Sequence, residues 1–179
     1  KPDYFTWEGA EKTYADFRLT VTNPGGHSSE PRAVNAIDEL AADLLHIQQH
    51  RFKPELNDLS RSYFVNAARW QKPEIASAMK VFAANPSDGK AIRTLSADPS
   101  FIGRIGTTCV VTVIDGGHAL NALPQRATAN INCRIFPGHS RAAIMEELRQ
   151  AAHDPGMTIE DVTEGSVETA ASPMRPDVV

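Results

Sequence analysis

Two short stretches hold the side chains of this chain best suited to chemistry. They are Gly25-Gly26-His27-Ser28-Ser29-Glu30-Pro31 and Gly116-Gly117-His118-Ala119-Leu120-Asn121-Ala122-Leu123-Pro124-Gln125-Arg126, the second running on to Asn132-Cys133-Arg134. An imidazole such as His27 exchanges or donates a proton near neutral pH. A guanidinium such as Arg134 matches a carboxylate with a planar fork of donors, and a carboxamide such as Asn121 adds a neutral hydrogen bond. Paired glycines let the backbone turn sharply and present a ring outward. Ser28 beside His27 suggests a nucleophile, but no acid is placed to orient the histidine and no oxyanion-hole motif accompanies it. Taken singly, His27 equally reads as a solvated loop residue, Asn121 to Pro124 as a plain turn and Arg134 as a solvated charge. Neither stretch carries a metal set or a complete catalytic set, which points to a domain that assists an active site located elsewhere.

Other reactive side chains have plainer readings. His46 and His50 stand four apart on a helical segment, a spacing that suits zinc, yet no third ligand lies near in sequence, so no metal site is expected. Cys109 and Cys133 fall on inward faces of strands expected to pair and read as small buried hydrophobes rather than a disulfide.

The elements that must position these groups follow from periodicity. Tyr14 to Thr22 alternates apolar and polar residues, with Ala15, Phe17, Leu19 and Val21 on one side, the period of a half-buried strand. Thr107 to Ile114 is β-branched apart from Cys109. Ala127 to Phe136 turns Ala129, Ile131, Cys133 and Ile135 inward, and Thr158 to Thr163 makes a weaker fourth strand. Strands with one apolar face predict an antiparallel sheet covered on one side. Helices supply the cover. One is predicted to start at Ser29, Glu30 and Pro31 and run to about His50 on Ile37, Leu40, Ala41 and Leu44. The other opens at Ser140, carries Ile144, Leu148 and Ala151, and stops at Asp154-Pro155-Gly156. Strand, helix, strand, strand, helix, strand is the order of a ferredoxin-like split βαβ sandwich of the α+β class. Residues 51–105 stand outside that order and read as a helical insertion, with helices around Leu59 to Trp70, Pro73 to Ala84 and Asp88 to Ser96. Tyr63, Phe64, Trp70 and Phe82 are expected to pack a small core of its own.

Composition narrows the function classes. A length of 179 residues suits one well-buried domain, and 41% apolar with 22% charged residues is ordinary for a globular fold. The net charge of -4 and outward strand positions made of Thr, Asn, Asp and Arg rather than a set of stacking aromatics argue against nucleic acid, and no apolar run reaches membrane length. No signal-type segment with a charged start and apolar core follows Lys1, and Ala171 to Val179, with Ser172-Pro173 and Arg175-Pro176, ends without a helix or strand terminator. Residues 1–179 therefore read as a single domain cut from a longer protein.

Taken together, the motifs resemble one family: the dizinc metallopeptidases that include glutamate carboxypeptidase, aminoacylase, carnosinase, acetylornithine deacetylase and succinyl-diaminopimelate desuccinylase. More narrowly the chain is similar to their dimerisation or lid domain, through Gly26-His27-Ser28 with Pro31, Gly116-Gly117 with Asn121 and Pro124, and Arg134. It departs at Asn132, where many members carry Asp. The resemblance implies a flanking catalytic domain, absent here, that holds two zinc ions and the general base, with no cofactor in residues 1–179 themselves. It implies a homodimer formed by this domain and contact with its own catalytic domain. It also implies that His27 enters the partner's active site as an oxyanion donor while Asn121 and Arg134 bind substrate. The implied reaction is hydrolysis of peptide or N-acyl amino acid amide bonds. A stand-alone ligand-binding or regulatory module of the same topology is the alternative.

Overall fold

Alternation alone accounts for the first strand, β1 (Thr13–Thr22), in which Ala15, Phe17, Leu19 and Val21 are buried. The computed structural model describes residues 9–174; Lys1 and Arg175-Pro176 lie outside the described residues. After β1 come β2 (Gly26–His27) and α1 (Ala36–Gln49), then α2 (Asp58–Ala67), α3 (Pro73–Ala84), α4 (Gly89–Ser96) and α5 (Pro99–Ile102). The chain continues with β3 (Thr108–Gly116), β4 (Ala122–Leu123), β5 (Arg126–Ile135), α6 (Arg141–Ala152) and β6 (Thr158–Asp161). Four strands form one sheet in the order β3-β5-β1-β6, with every pair antiparallel. This is the ferredoxin-like α+β arrangement. Its core lies between one sheet face and helices α1 and α6, where Phe17, Leu19 and Ile131 meet Leu40, Ile47, Ile144 and Leu148. Removing each such side chain from water stabilises the fold by roughly 1.5–3 kcal/mol.

The helices α2 to α5 enclose a second core around Phe64, Met79, Phe82, Leu95 and Phe101. Phe64 and Phe82 meet edge to face at 5.1 Å. Trp70 does not join them: it is more than half exposed, with the Arg69 guanidinium 5.2 Å from its ring. The short α5 was not expected, because Asp98-Pro99 reads as a separator; instead Asp98 caps it by accepting from the Ser100 N–H, and Pro99 fits its first turn. The stems of this helical unit meet at its base, where the Glu55 N–H donates to Ile105 O at 2.8 Å.

Three boundary features correct the sequence reading. Helix α1 begins at Ala36, because Asn35 caps it and the Asp38 carboxylate accepts from the Asn35 N–H in a capping box. Ser29, Glu30 and Pro31 belong to the preceding turn. Its buried face is Ala36, Leu40, Asp43 and Ile47, so Ile37 and Ala41 are exposed rather than inward. Helix α6 ends on His153 in the left-handed region (φ 61), before the proline is reached, and buries Ala152 more fully than Ala151.

Asp43 is an anomaly within that buried face. It is only 4% exposed, and its Oδ2 has no hydrogen-bond partner. Burial first, and then the Asp154 charge, raise its pKa from 3.8 to about 6; Glu39 adds to the rise and His46 opposes it. Because the folded value exceeds the unfolded one, the folded chain binds more protons between them. Stability therefore falls as pH rises from about 4 to about 6, and the loss persists above that window. Asp43→Asn should raise unfolding free energy by about 1–2 kcal/mol at pH 8 and change it little at pH 4. Equal effects at both pH values in urea titrations would show that the charge is not the cause.

Candidate functional site

The two chemistry-bearing stretches come together in a small ribbon beyond one end of the main sheet. Strand β2 pairs antiparallel with β4, setting Gly26 opposite Leu123 and His27 opposite Ala122. The Ser28 N–H extends the pairing by donating to Asn121 O at 3.0 Å, and the Asn23 N–H donates to Gln125 O at 2.9 Å. Arg32 Nε closes the turn on Gly25 O at 2.8 Å. Gly25 is required here: its φ is +71°, and a Cβ would lie 2.4 Å from Gln125 Cγ and 3.0 Å from Leu123 O. The reading of Asn121 to Pro124 as a plain turn therefore gives way to a paired strand that holds Asn121 beside His27.

The His27 ring is exposed, and its orientation is set locally. The Ser29 N–H donates to His27 Nδ1 at 3.2 Å, and Ser29 Oγ lies 2.8 Å from the same nitrogen. A backbone N–H can only donate, so Nδ1 is the acceptor and the proton of the neutral ring sits on Nε2. The fold thereby presents Nε2–H outward as a hydrogen-bond donor. Next to the ribbon, Asp115, Gly116, Gly117, His118, Gln125, Arg126, Ala127 and Thr128 line an open polar hollow of about 260 Å³.

Arg134 is not part of this cluster. It lies eight residues along β5 from Arg126, about 27 Å at roughly 3.4 Å per residue, toward the opposite end of the sheet. There it is exposed on the uncovered face, with its guanidinium 4.8 Å from the ring centre of Tyr14, its cross-strand partner. Three residues missed by sequence reasoning surround it. Lys12 donates to Gly106 O, and burial first, then the Arg134 charge, lowers its pKa to about 8. The Tyr14 hydroxyl donates to Asp16 Oδ2. Asp16 also accepts from Asn130 Nδ2 at 2.8 Å and Asn132 Nδ2 at 3.0 Å. The signal for Tyr14 and Asp16 lay in register: outward residues of β1 had to oppose outward residues of β5. Asn132 thus has a defined task as a donor to the acid on the neighbouring strand.

Between these two ends runs an exposed edge. β3 is the outermost strand on its side of the sheet, and Val110, Val111, Val113 and Ile114 are all exposed, with a bulge between Val111 and Val113. Ile37 and Leu45 of α1 are exposed as well. α1 comes close to β3 at Gly116, where a Cβ would lie 3.0 Å from Ile37 Cγ1.

The remaining candidates resolve simply. Cys109 and Cys133 stand directly opposite each other in the β3–β5 ladder and form a disulfide, which corrects the expectation of two free buried thiols. The His50 Nε2 pairs with Glu147 at 2.8 Å, and His46 Nδ1 lies 2.9 Å from Ala152 O. Among the described residues no three His, Cys, Asp or Glu side chains are arranged to hold a metal ion. No helix among them is long and apolar enough to cross a membrane.

A family model described as the peptidase dimerisation domain matches residues 9–159, and the chain belongs to that family, the dimerisation domain of M20 metallopeptidases. It is 28% identical over 153 residues to a probable carboxypeptidase S-like 2 of Dictyostelium discoideum, covering 86% of this chain and 29% of the relative. It is 26% identical over 156 residues to the N-fatty-acyl-amino acid synthase/hydrolase PM20D1.1 of Danio rerio, covering 84% and 29%. With carboxypeptidase S of Saccharomyces cerevisiae it shares 29% identity over 143 residues, covering 76% and 25%. The chain thus spans under a third of the length of these relatives. The fold resembles that of human carnosine dipeptidase 1, with a TM-score of 0.55 and 14% identity over 91% of this chain and 38% of that one.

Proposed function

We propose that this domain dimerises and completes the active site of a zinc-dependent amidohydrolase or carboxypeptidase that cleaves peptide or N-acyl amino acid amide bonds. The observation that carries the proposal is the placement of His27 and Asn121 in one ribbon, about a sheet's length from Arg134. An extended dipeptide spans at most about 7 Å, so the two groups of one chain do not serve the same small substrate. A second copy removes the difficulty. If β3 pairs with β3 of another subunit across a twofold axis, antiparallel pairing sets the Gly116 end of one beside the Thr108 end of the other. Arg134 of one subunit then stands near the partner's His27 and Asn121, and each dimer holds two such composite sites.

Within a composite site the roles divide by chemistry. Arg134 holds the free carboxylate of the substrate by its planar fork. Asn121 adds a neutral hydrogen bond. His27 donates from Nε2 to the oxygen of the carbonyl under attack, where negative charge develops. Among the described residues no side chains are arranged to hold the zinc ions implied by the family resemblance; in this reading they would be held by the rest of the enzyme and would there supply Lewis-acid polarisation of the scissile carbonyl.

Subunit complementation tests the composite site. A full-length His27→Ala protein mixed with a full-length variant lacking a metal ligand should regain activity, because one site of each heterodimer then has all its parts. If subunit exchange is demonstrated and no activity returns, His27 does not act across the dimer. The interface itself has a separate test. Val111→Lys combined with Val113→Lys sets like charges close together across the twofold axis and should convert the dimer to monomer by light scattering. An unchanged mass would place the interface elsewhere.

A further inference from the structure

Arg134 has an acid close by and does not use it. Asp16 lies on the next strand, one pleat away on the same open face, with its cross-strand partner Asn132 two residues before the arginine. Arg134 nevertheless forms no hydrogen bond or ion pair with any described residue and rests on the Tyr14 ring. Asp16 is instead held by three neutral donors: the Tyr14 hydroxyl, Asn130 Nδ2 at 2.8 Å and Asn132 Nδ2 at 3.0 Å. Its backbone is held too, since the Asp16 N–H donates to Thr163 Oγ1 at 2.9 Å. Asn130 is in turn fixed by Thr112 Oγ1 at 2.9 Å.

The arrangement meets a physical difficulty of any carboxylate-binding arginine. A guanidinium paired with an internal acid has its fork occupied and its charge compensated, so an incoming carboxylate has to displace that acid. An arginine with no neighbours would keep its charge but swing over many rotamers. Here the charge stays open while the side chain is oriented: the Tyr14 face supports the guanidinium, and the Tyr14 edge holds the acid away from it. Burial would raise the Asp16 pKa, but the donated hydrogen bonds and the nearby Arg134 charge outweigh it and hold the pKa below the usual carboxylate value. The acid therefore remains charged at neutral pH and would compete if released.

We propose that Tyr14 is a positioning residue that keeps Arg134 available for substrate carboxylates, by stacking beneath its guanidinium and by detaining Asp16. This rests on the reading of Arg134 as the carboxylate holder given above. Its consequence is selectivity: the site distinguishes substrates with a free carboxylate from their amides only while Asp16 is detained.

The test uses the full-length enzyme, with the best-cleaved N-acetyl amino acid of a panel and its primary carboxamide as paired probes. Tyr14→Phe keeps the ring and removes the hydroxyl, so Asp16 is free to turn to Arg134. KM for the carboxylate probe should rise about five- to tenfold, with kcat and the KM of the carboxamide little changed. Tyr14→Phe combined with Asp16→Asn should return KM toward the wild-type value, because no competing charge remains. Loss of packing alone predicts no such rescue. If Tyr14→Phe leaves the carboxylate KM unchanged, or if the double variant is no better than the single one, the detention of Asp16 is refuted. Arg134→Ala separates the two levels of the argument. If it leaves the carboxylate KM unchanged, the reading of Arg134 is itself wrong, and the proposal falls with it; if it raises that KM while Tyr14→Phe does not, only the positioning role fails.

Discussion

Replacing His27 with alanine in the full-length protein is expected to lower kcat by about a hundred- to a thousand-fold while changing KM only slightly, the range seen when one oxyanion donor is removed. The asymmetry follows from when the hydrogen bond forms. A substrate carbonyl is a weak acceptor, whereas the oxygen of the attacked carbonyl carries developing charge, so a donor aimed at it acts chiefly in the transition state. On the proposed reading the ring is already set for that moment, since the Ser29 N–H occupies Nδ1 and leaves the proton on Nε2. Steady-state kinetics on protein of unchanged oligomeric mass are the measurement. A raised KM with normal kcat would reassign His27 to ground-state binding. No change in either constant would return it to an ordinary solvated loop.

The second large effect concerns the edge strand. Reducing the Cys109–Cys133 bond, or replacing both cysteines with alanine, should lower domain stability by about 3–4 kcal/mol, the loop-closure value for a separation of 24 residues. Melting should fall by about 10 °C on the usual scaling for a domain of this size. The loss should be felt first in β3, which among the described residues pairs in the sheet only with β5 and is tied to it by this bond. Denaturation with and without reductant measures it, alongside thiol titration of the unfolded, unreduced protein. Two titratable thiols in that sample would show that the bond does not form, and an unchanged midpoint on reduction would show that it stabilises nothing.

How much of this was legible in the sequence differs from element to element. β1 and β5 could be read almost residue by residue, because one covered face forces a period of two and Phe17, Leu19, Ile131 and Ile135 obey it. The start of α1 was misplaced because Pro31 and Glu30 carry a strong start signal, while the working cap, Asn35 with Asp38, depends on where the chain leaves the ribbon. That ribbon was hidden for a related reason. β2 has two residues and no periodicity of its own, so only its pairing with β4 defines it. Register also decided the disulfide and the Tyr14–Asp16–Asn132 cluster. A strand's pattern tells which face a side chain takes, but which residue of the neighbouring strand it meets is set by the whole sheet. His27, Asn121 and Arg134 can therefore be named as candidates from the sequence, whereas their division between two ends of the sheet cannot.

The hydrogen bond between Glu55 and Ile105 at the foot of the helical unit has a consequence for how such proteins can change. Where a segment leaves and re-enters a scaffold at neighbouring points, the scaffold registers only the closing of a loop, and that cost grows slowly with loop length. Helices α2 to α5 also bury their own apolar residues in a separate core, so their removal as a block strips little from the sheet. A short turn bridging Lys53 to Gly106 is thus a natural graft point. The whole unit can be traded for another cassette, of different size or shape, while the ribbon, the edge strand and the open face keep their places.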